Sequence, residues 1–316
     1  MTRGVGLSPA GVPPRAHRLT FTRNRIVPIR IRMPAAVLLI AVALGVDAPR
    51  AIRGADPASE KSAEEQQAAA DRLATMESLA RACELSRESA STTPYILEPK
   101  PLLRWSNPIS GVVDGSLWLW THEGRPVATV DIFSGNKGLS WNQQWQSLSA
   151  EPLECRQHDK VRWTPQQPGL ELKPVPGAAA PAKTAAGGLS QMRTIARAFT
   201  IEDDFKTQFR GKEFATHELR LLAQPLYRYG GDEQPVKDGA LFAYVLATAC
   251  EALLIVEAGE VDSQPVWLYG LAGQTCYELR AKHGEKTVWT QPCWDSAFDQ
   301  TKPYFAFRAS PPQSPK

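Results

Sequence analysis

The sequence predicts an α+β protein made of two tandem units, each an N-terminal helix packed on an antiparallel, mostly meandering β-sheet. Three observations predict it. A segment of helical period occurs twice, segments of strand period recur behind it in the same order, and turn residues punctuate them.

The helical segment comes first. LATMESLARACEL at 73–85 lies over LSQMRTIARAFTI at 189–201 without a gap, with Met76 on Met192 and Ala80-Arg81-Ala82 on Ala196-Arg197-Ala198. Leu73, Met76, Ala80 and Cys83 fall three to four residues apart, which is one apolar stripe of a helix. Leu189, Met192, Ile195 or Ala196, and Phe199 repeat the stripe. For the first helix, Asp56 before Pro57 offers one start, and Ser62 with Glu65 offers a capping box.

The strands follow. PLLRW at 101–105 lies over PLYRY at 225–229, and at the same offset VVDGSLWLW at 112–120 lies over VKDGALFAY at 236–244. ATVDI at 128–132 meets ALLIV at 252–256, LECR at 153–156 meets YELR at 277–280, and Trp163-Thr164 meets Trp289-Thr290. Alternation with period two marks these segments as strands. Glu123-Gly124 and His283-Gly284 read as hairpin turns, where glycine accepts positive φ. The units are read as 56–173 and 189–307. A Pro/Ala/Gly linker, 174–188, lies between them, and a disordered tail, 308–316, follows.

Ahead of both units, residues 1–48 have the grammar of a signal peptide. Seven arginines and no acidic residue occupy 1–46, the apolar run PAAVLLIAVALGV fills 34–46, and small residues follow. At ~1.5 Å per helical residue that run reaches ~20 Å, short of a ~30 Å bilayer core, so the segment predicts export rather than a span. Without those arginines the body carries 29 basic and 33 acidic side chains. A mildly acidic surface has no broad attraction for phosphate backbones, which argues against a nucleic-acid partner.

No histidine stands at HxH or HExxH spacing, and no CxxC occurs, so neither a metal nor a cofactor is expected. GxSxG, Walker A and GxGxxG are also missing. Five cysteines are too few and too scattered for a disulfide scaffold. Cys83 falls opposite Phe199 and Cys155 opposite Leu279, as small hydrophobes would. That leaves Cys250, Cys276 and Cys293 as disulfide partners.

The candidate ligand-binding residues are Trp118 and Trp120 with their counterparts Phe242 and Tyr244, and Arg104 with its counterpart Arg228. On a strand Trp118 and Trp120 share one face and Leu117 and Leu119 the other. The aromatic face could bury in a core or lie open to sugar rings, and core packing is the commoner use of such residues. Asp114-Gly115 and Asp238-Gly239 read as turn chemistry. Glu154 with Arg156, and Glu278 with Arg280, read as solvated pairs along a strand. A hydrolase would need paired carboxylates, for which Glu251, Asp262 and Asp295 are candidates.

The runs DGSLWLWTHEGRP at 114–126, LSQMRTIARAF at 189–199, LRLLAQPLYRY at 219–229 and DGALFAYV at 238–245 resemble exported, internally duplicated proteins of planctomycete bacteria whose function is unknown. The resemblance spans roughly 70–300 and implies an envelope or secreted location. It implies no activity and no catalytic residue. The expected function is a non-enzymatic scaffold that binds a protein or glycan partner, with a carboxylate hydrolase or a glycan module on the strand aromatics as alternatives.

Overall fold

The computed structural model describes residues 62–87, 95–108, 110–135, 140–158, 160–205, 215–293 and 297–309. The signal segment 1–48, the Asp56-Pro57 start and residues 310–316 of the tail lie outside the described residues.

The described residues open on α1 (Ala63–Arg81), and the capping box is there: Glu65 N–H donates to Ser62 Oγ at 3.2 Å and Ser62 N–H to Glu65 Oε2 at 3.3 Å. Then come β1 (Cys83–Arg87), β2 (Ile96–Leu97), β3 (Leu103–Asn107), β4 (Val112–His122), β5 (Arg125–Gly135), β6 (Ser140–Ser147), β7 (Leu153–Gln157), β8 (Lys160–Trp163) and β9 (Lys173–Pro174). The second half starts at α2 (Ala185–Arg197), where Thr184 Oγ1 accepts from Gly187 N–H at 3.1 Å. It continues with β10 (Phe199–Phe205), β11 (Ala215–Glu218), β12 (Arg220–Leu221), β13 (Tyr227–Tyr229), β14 (Gly239–Leu246), β15 (Ala249–Val261), β16 (Gln264–Gly273), β17 (Glu278–His283), β18 (Lys286–Gln291) and β19 (Tyr304–Ala309). The described residues are thus mostly antiparallel sheet with two helices.

Four sheets form. The larger two run β19-β6-β5-β4-β2, with β3 also on β4, and β12-β14-β15-β16-β9, with β13 also on β14. The smaller two run β1-β7-β8 and β11-β10-β17-β18. Leu117 and Leu119 of β4 pack with Leu241, Ala243, Leu253 and Ile255 in a core between the larger sheets. Trp118 and Trp120 turn the other way, into a core with Met76, Leu79 and Ala80 of α1. Phe242 and Tyr244 do the same against Met192, Ile195 and Ala196 of α2. The order is helix, sheet, sheet, helix. A strand apolar on both faces needs two covers, and both are present.

Three boundaries differ from the sequence reading. The predicted linker 174–188 is in part built into the fold. Pro174 pairs with Leu268, Val175 N–H donates to Trp267 O at 2.8 Å, Val175 is buried, and 185–188 begin α2. The end of the predicted second unit belongs to the first sheet, since β19 pairs with β6 from Tyr304↔Gln146 to Ala309↔Trp141. Arg308 and Ala309, assigned to the tail, are part of that strand. Composition could not reveal this, because an apolar face and an open edge specify a partner strand but not its place in the sequence.

The Asp-Gly reading also changes. Asp114 and Gly115 sit inside β4, not in a turn. A Cβ on Gly115 would come 2.5 Å from the Trp105 ring, and one on Gly239 2.5 Å from the Tyr229 ring. Each glycine is needed so that an aromatic side chain can lie flat on the strand.

Candidate functional site

The residues singled out in the sequence do not form an open site. Trp118, Trp120, Phe242 and Tyr244 are each at most 1% exposed. Trp118 Nε1 donates to Ser116 Oγ at 2.8 Å, Tyr244 donates to the Ala196 carbonyl at 2.6 Å, and Trp120 packs on Trp145 with ring centres 5.0 Å apart. A sugar ring stacks only on an exposed aromatic face, so these four are core residues and the strand-aromatic glycan site is withdrawn.

Arg104 and Arg228 are anchors. Arg104 donates to both Asp114 oxygens, at 2.9 and 2.7 Å, and to the Ala69 carbonyl of α1 at 2.6 Å. Arg228 donates to Asp238, at 3.1 Å to each oxygen, and to the Ala185 carbonyl of α2 at 2.6 Å. In the first half Arg72 adds a third donor to Asp114 at 2.9 Å. Burial pushes the Asp114 carboxyl up, but Arg104 and Arg72 together hold it below its ordinary value. With their donors so committed, both arginines hold helix to sheet.

The proposed carboxylate trio does not assemble either. Glu251 lies near the start of β15 and Asp262 just past its end, ~36 Å apart at ~3.3 Å per strand residue. Asp295 lies outside the described residues.

The structure instead gathers Glu251 with two acids that sequence reasoning passed over. Asp131, between the sheets, accepts from Trp105 Nε1 at 2.8 Å, yet burial raises its carboxyl to about 7. Asp203 is fully buried and neither oxygen has a hydrogen-bond partner; burial and then its neighbour Asp204 raise it to about 7. Glu251 is pushed well up by burial and by Asp203. Burial raises all three, because a charge lacking a partner is costly in the interior. None of the three lies on the open surface.

A cleft of about 820 Å³ does reach the surface. It opens where the ends of β4 and β5 face β15, β16 and β18, under the segment 168–173 that leads into β9. Tyr95, Tyr269 and Trp289 bring aromatic rings to it, and His122 and Arg125 stand on the first-sheet side. Its charges are paired. Arg125 Nε donates to Glu257 Oε2 at 3.0 Å, Glu257 also accepts from Tyr229 at 2.6 Å, Lys173 meets Glu171 at 2.9 Å, and Glu151 meets Arg87. His122 Nε2 is the exception, a buried ring nitrogen with no partner, beside the Tyr95 ring at 5.1 Å.

Sequence reasoning read the neighbouring Glu123-Gly124 turn and missed the cleft beside it. The cleft is made by residues from seven separate segments, and no local pattern announces such a convergence. Among the described residues no group of three or more His, Cys, Asp or Glu could hold a metal ion, and no helix is long and apolar enough to cross a membrane. Compared with known proteins, the chain matches no family model, no curated protein and no solved structure.

Proposed function

We propose that this chain is an exported, internally duplicated binding scaffold, and that its cleft receives a neutral polyhydroxylated ligand such as a glycan segment. The basic, acid-free lead and the apolar run at 34–46 support export, as does the resemblance to exported planctomycete proteins of unknown function.

Duplication is supported from two directions. The ordered matches along the sequence are one. The other is connectivity: β1-β7-β8 parallels β10-β17-β18, and β4-β5-β6 with β2 and β3 on β4 parallels β14-β15-β16 with β12 and β13 on β14. The two arginine anchors and the two aromatic rings lying on glycines add equivalent detail.

The observation that carries the ligand class is the pairing of charge in the cleft. Arg125 with Glu257, Lys173 with Glu171 and Glu151 with Arg87 balance one another, which disfavours an ionic ligand. What remains is aromatic surface, fixed polar groups and one unpartnered imidazole nitrogen, a set suited to sugar rings and hydroxyls.

The test is an array of neutral and acidic oligosaccharides, probed with the full protein and with Trp289→Ala and His122→Ala. Retention of neutral glycans that falls at least tenfold in both variants is the expected result. Equal retention by all three proteins, or preference for the acidic glycans, would overturn the reading.

A further inference from the structure

We infer that the cleft reads an N-acetylated sugar, and that Arg125 selects it by donating from the free edge of its guanidinium to the acetamido carbonyl. The inference rests on the reading of the cleft as a neutral-glycan site and narrows that reading to one class of sugar.

Arg125 is held from both halves of the chain. It stands directly opposite His122 at the end of the β4–β5 hairpin, where Glu123 and Gly124 take the positive φ that so tight a turn requires. From β15, Glu257 accepts its Nε at 3.0 Å, and the Tyr229 hydroxyl donates to the same carboxylate at 2.6 Å. Nη1 donates to the Pro126 carbonyl at 3.3 Å. Nη2 carries N–H groups of its own, and among the described residues no acceptor meets them. The side chain lines the cleft and keeps 24% of its surface accessible, so this edge is left for a ligand.

The chemistry of that edge narrows what can sit on it. A guanidinium donates and cannot accept. A hydroxyl would bring a donor of its own, yet the acceptor beside it, Glu257, is already engaged by Arg125 and Tyr229. A carboxylate or phosphate would set a second negative charge beside Glu257, and like charges so placed repel. An amide carbonyl avoids both costs. It accepts hydrogen bonds, demands no acceptor in return and carries no net charge. On a sugar that group is an acetamido, whose methyl needs apolar cover. Leu271 and Val288 line the same cleft and offer it, with Trp289 beside them for the sugar ring.

The experiment is calorimetric titration of the full protein with chitotetraose and with cellotetraose. The two share one linkage and differ in carrying an acetamido or a hydroxyl group at the same ring carbon. Chitotetraose should bind at least tenfold more tightly. In Arg125→Lys, which keeps a charge beside Glu257 but loses the fork, the preference should shrink to threefold or less. The wild-type pair of titrations tests the sugar class even where the variant fails to fold.

Equal wild-type affinities, both weakened by Trp289→Ala, would overturn the inference and leave the neutral-glycan reading standing. A preference undiminished in Arg125→Lys would overturn the role given to Arg125. Binding of neither oligomer would remove the cleft reading itself, and the inference with it. An N-acetylated alanine dipeptide that displaces chitotetraose at equal concentration would move the amide to a peptide and overturn the sugar assignment.

Discussion

Arg104 ties a strand to a helix: its guanidinium meets both oxygens of Asp114 on β4 and, with a nitrogen that serves Asp114, also holds the Ala69 carbonyl of α1. Arg228, Asp238 and Ala185 make the same arrangement in the second half. The second is the more exposed, its aspartate side chain 19% accessible against 6% for Asp114. Where Arg72 reinforces the first, Gly188 packs so closely on Asp238 that a Cβ there would lie 2.1 Å from Oδ2. Replacing Arg104 by Met should therefore cost ~2 kcal/mol of stability, the usual worth of charged hydrogen bonds, and Arg228→Met about 1 kcal/mol. Chemical denaturation of the two variants checks the order. A larger loss from Arg228→Met would contradict it.

The buried aromatics separate a core role from a ligand role. Truncating Trp118 or Phe242 to Ala should cost ~3–5 kcal/mol, a large share of a domain's ~5–15 kcal/mol. Thermal unfolding reads this directly. Unchanged melting in both variants would mean that the rings do not fill the cores described.

Stability should fall as pH rises from about 4 to 7. Asp131 and Asp203 have folded carboxyls raised to about 7 from an ordinary 3.8. The folded state therefore holds protons that the unfolded state has released, and this contribution, complete below 3.8, is lost as pH climbs to 7. For the fully buried Asp131 the shift is worth on the order of 4 kcal/mol. Asp114 acts in the opposite sense. Its depressed carboxyl stabilises the fold above its ordinary value, and that contribution disappears as pH falls through the folded one. The two trends together place the maximum in mildly acidic buffer. A flatter profile in Asp131→Asn is the expected control, and a wild type most stable at pH 8 would contradict the assignment.

The terminal strand offers a different test. β19 covers the edge of β6 and sends Phe305 into the first core. Deleting residues 303–316 should lower stability by ~3 kcal/mol or more through loss of buried aromatics. It should also expose a strand edge that promotes association. Light scattering and melting of the truncated chain measure both. A monomer with wild-type stability would show that β19 is dispensable.

Local structure was legible in the sequence because its causes are local. The Ser62 capping box, the Met76 and Met192 stripes and the Glu123-Gly124 turn each depend on residues a few positions apart. The positive φ values at Glu123 and Gly124 are those the hairpin between β4 and β5 requires. The Leu117/Trp118 alternation showed that two covers were needed, though not which element supplied each. The destinations of β9 and β19, the burial of Asp203 and the meeting of Tyr95 with Trp289 at the cleft arise from contacts between distant segments. Asp114-Gly115 was misread for a related reason. The same dipeptide serves a turn or an aromatic packed on a strand, and only Trp105 distinguishes them.

The claim that the cleft is the binding site is tested most directly by amide shift mapping on the full protein titrated with neutral hexose and N-acetylhexosamine oligomers. The largest shifts should cluster at Tyr95, His122, Arg125, Tyr269 and Trp289, the residues that line the cleft. In Trp289→Ala they should shrink, with little change in melting temperature because that ring is only partly buried. Shifts that centre elsewhere, or none at saturating oligosaccharide, would contradict the account.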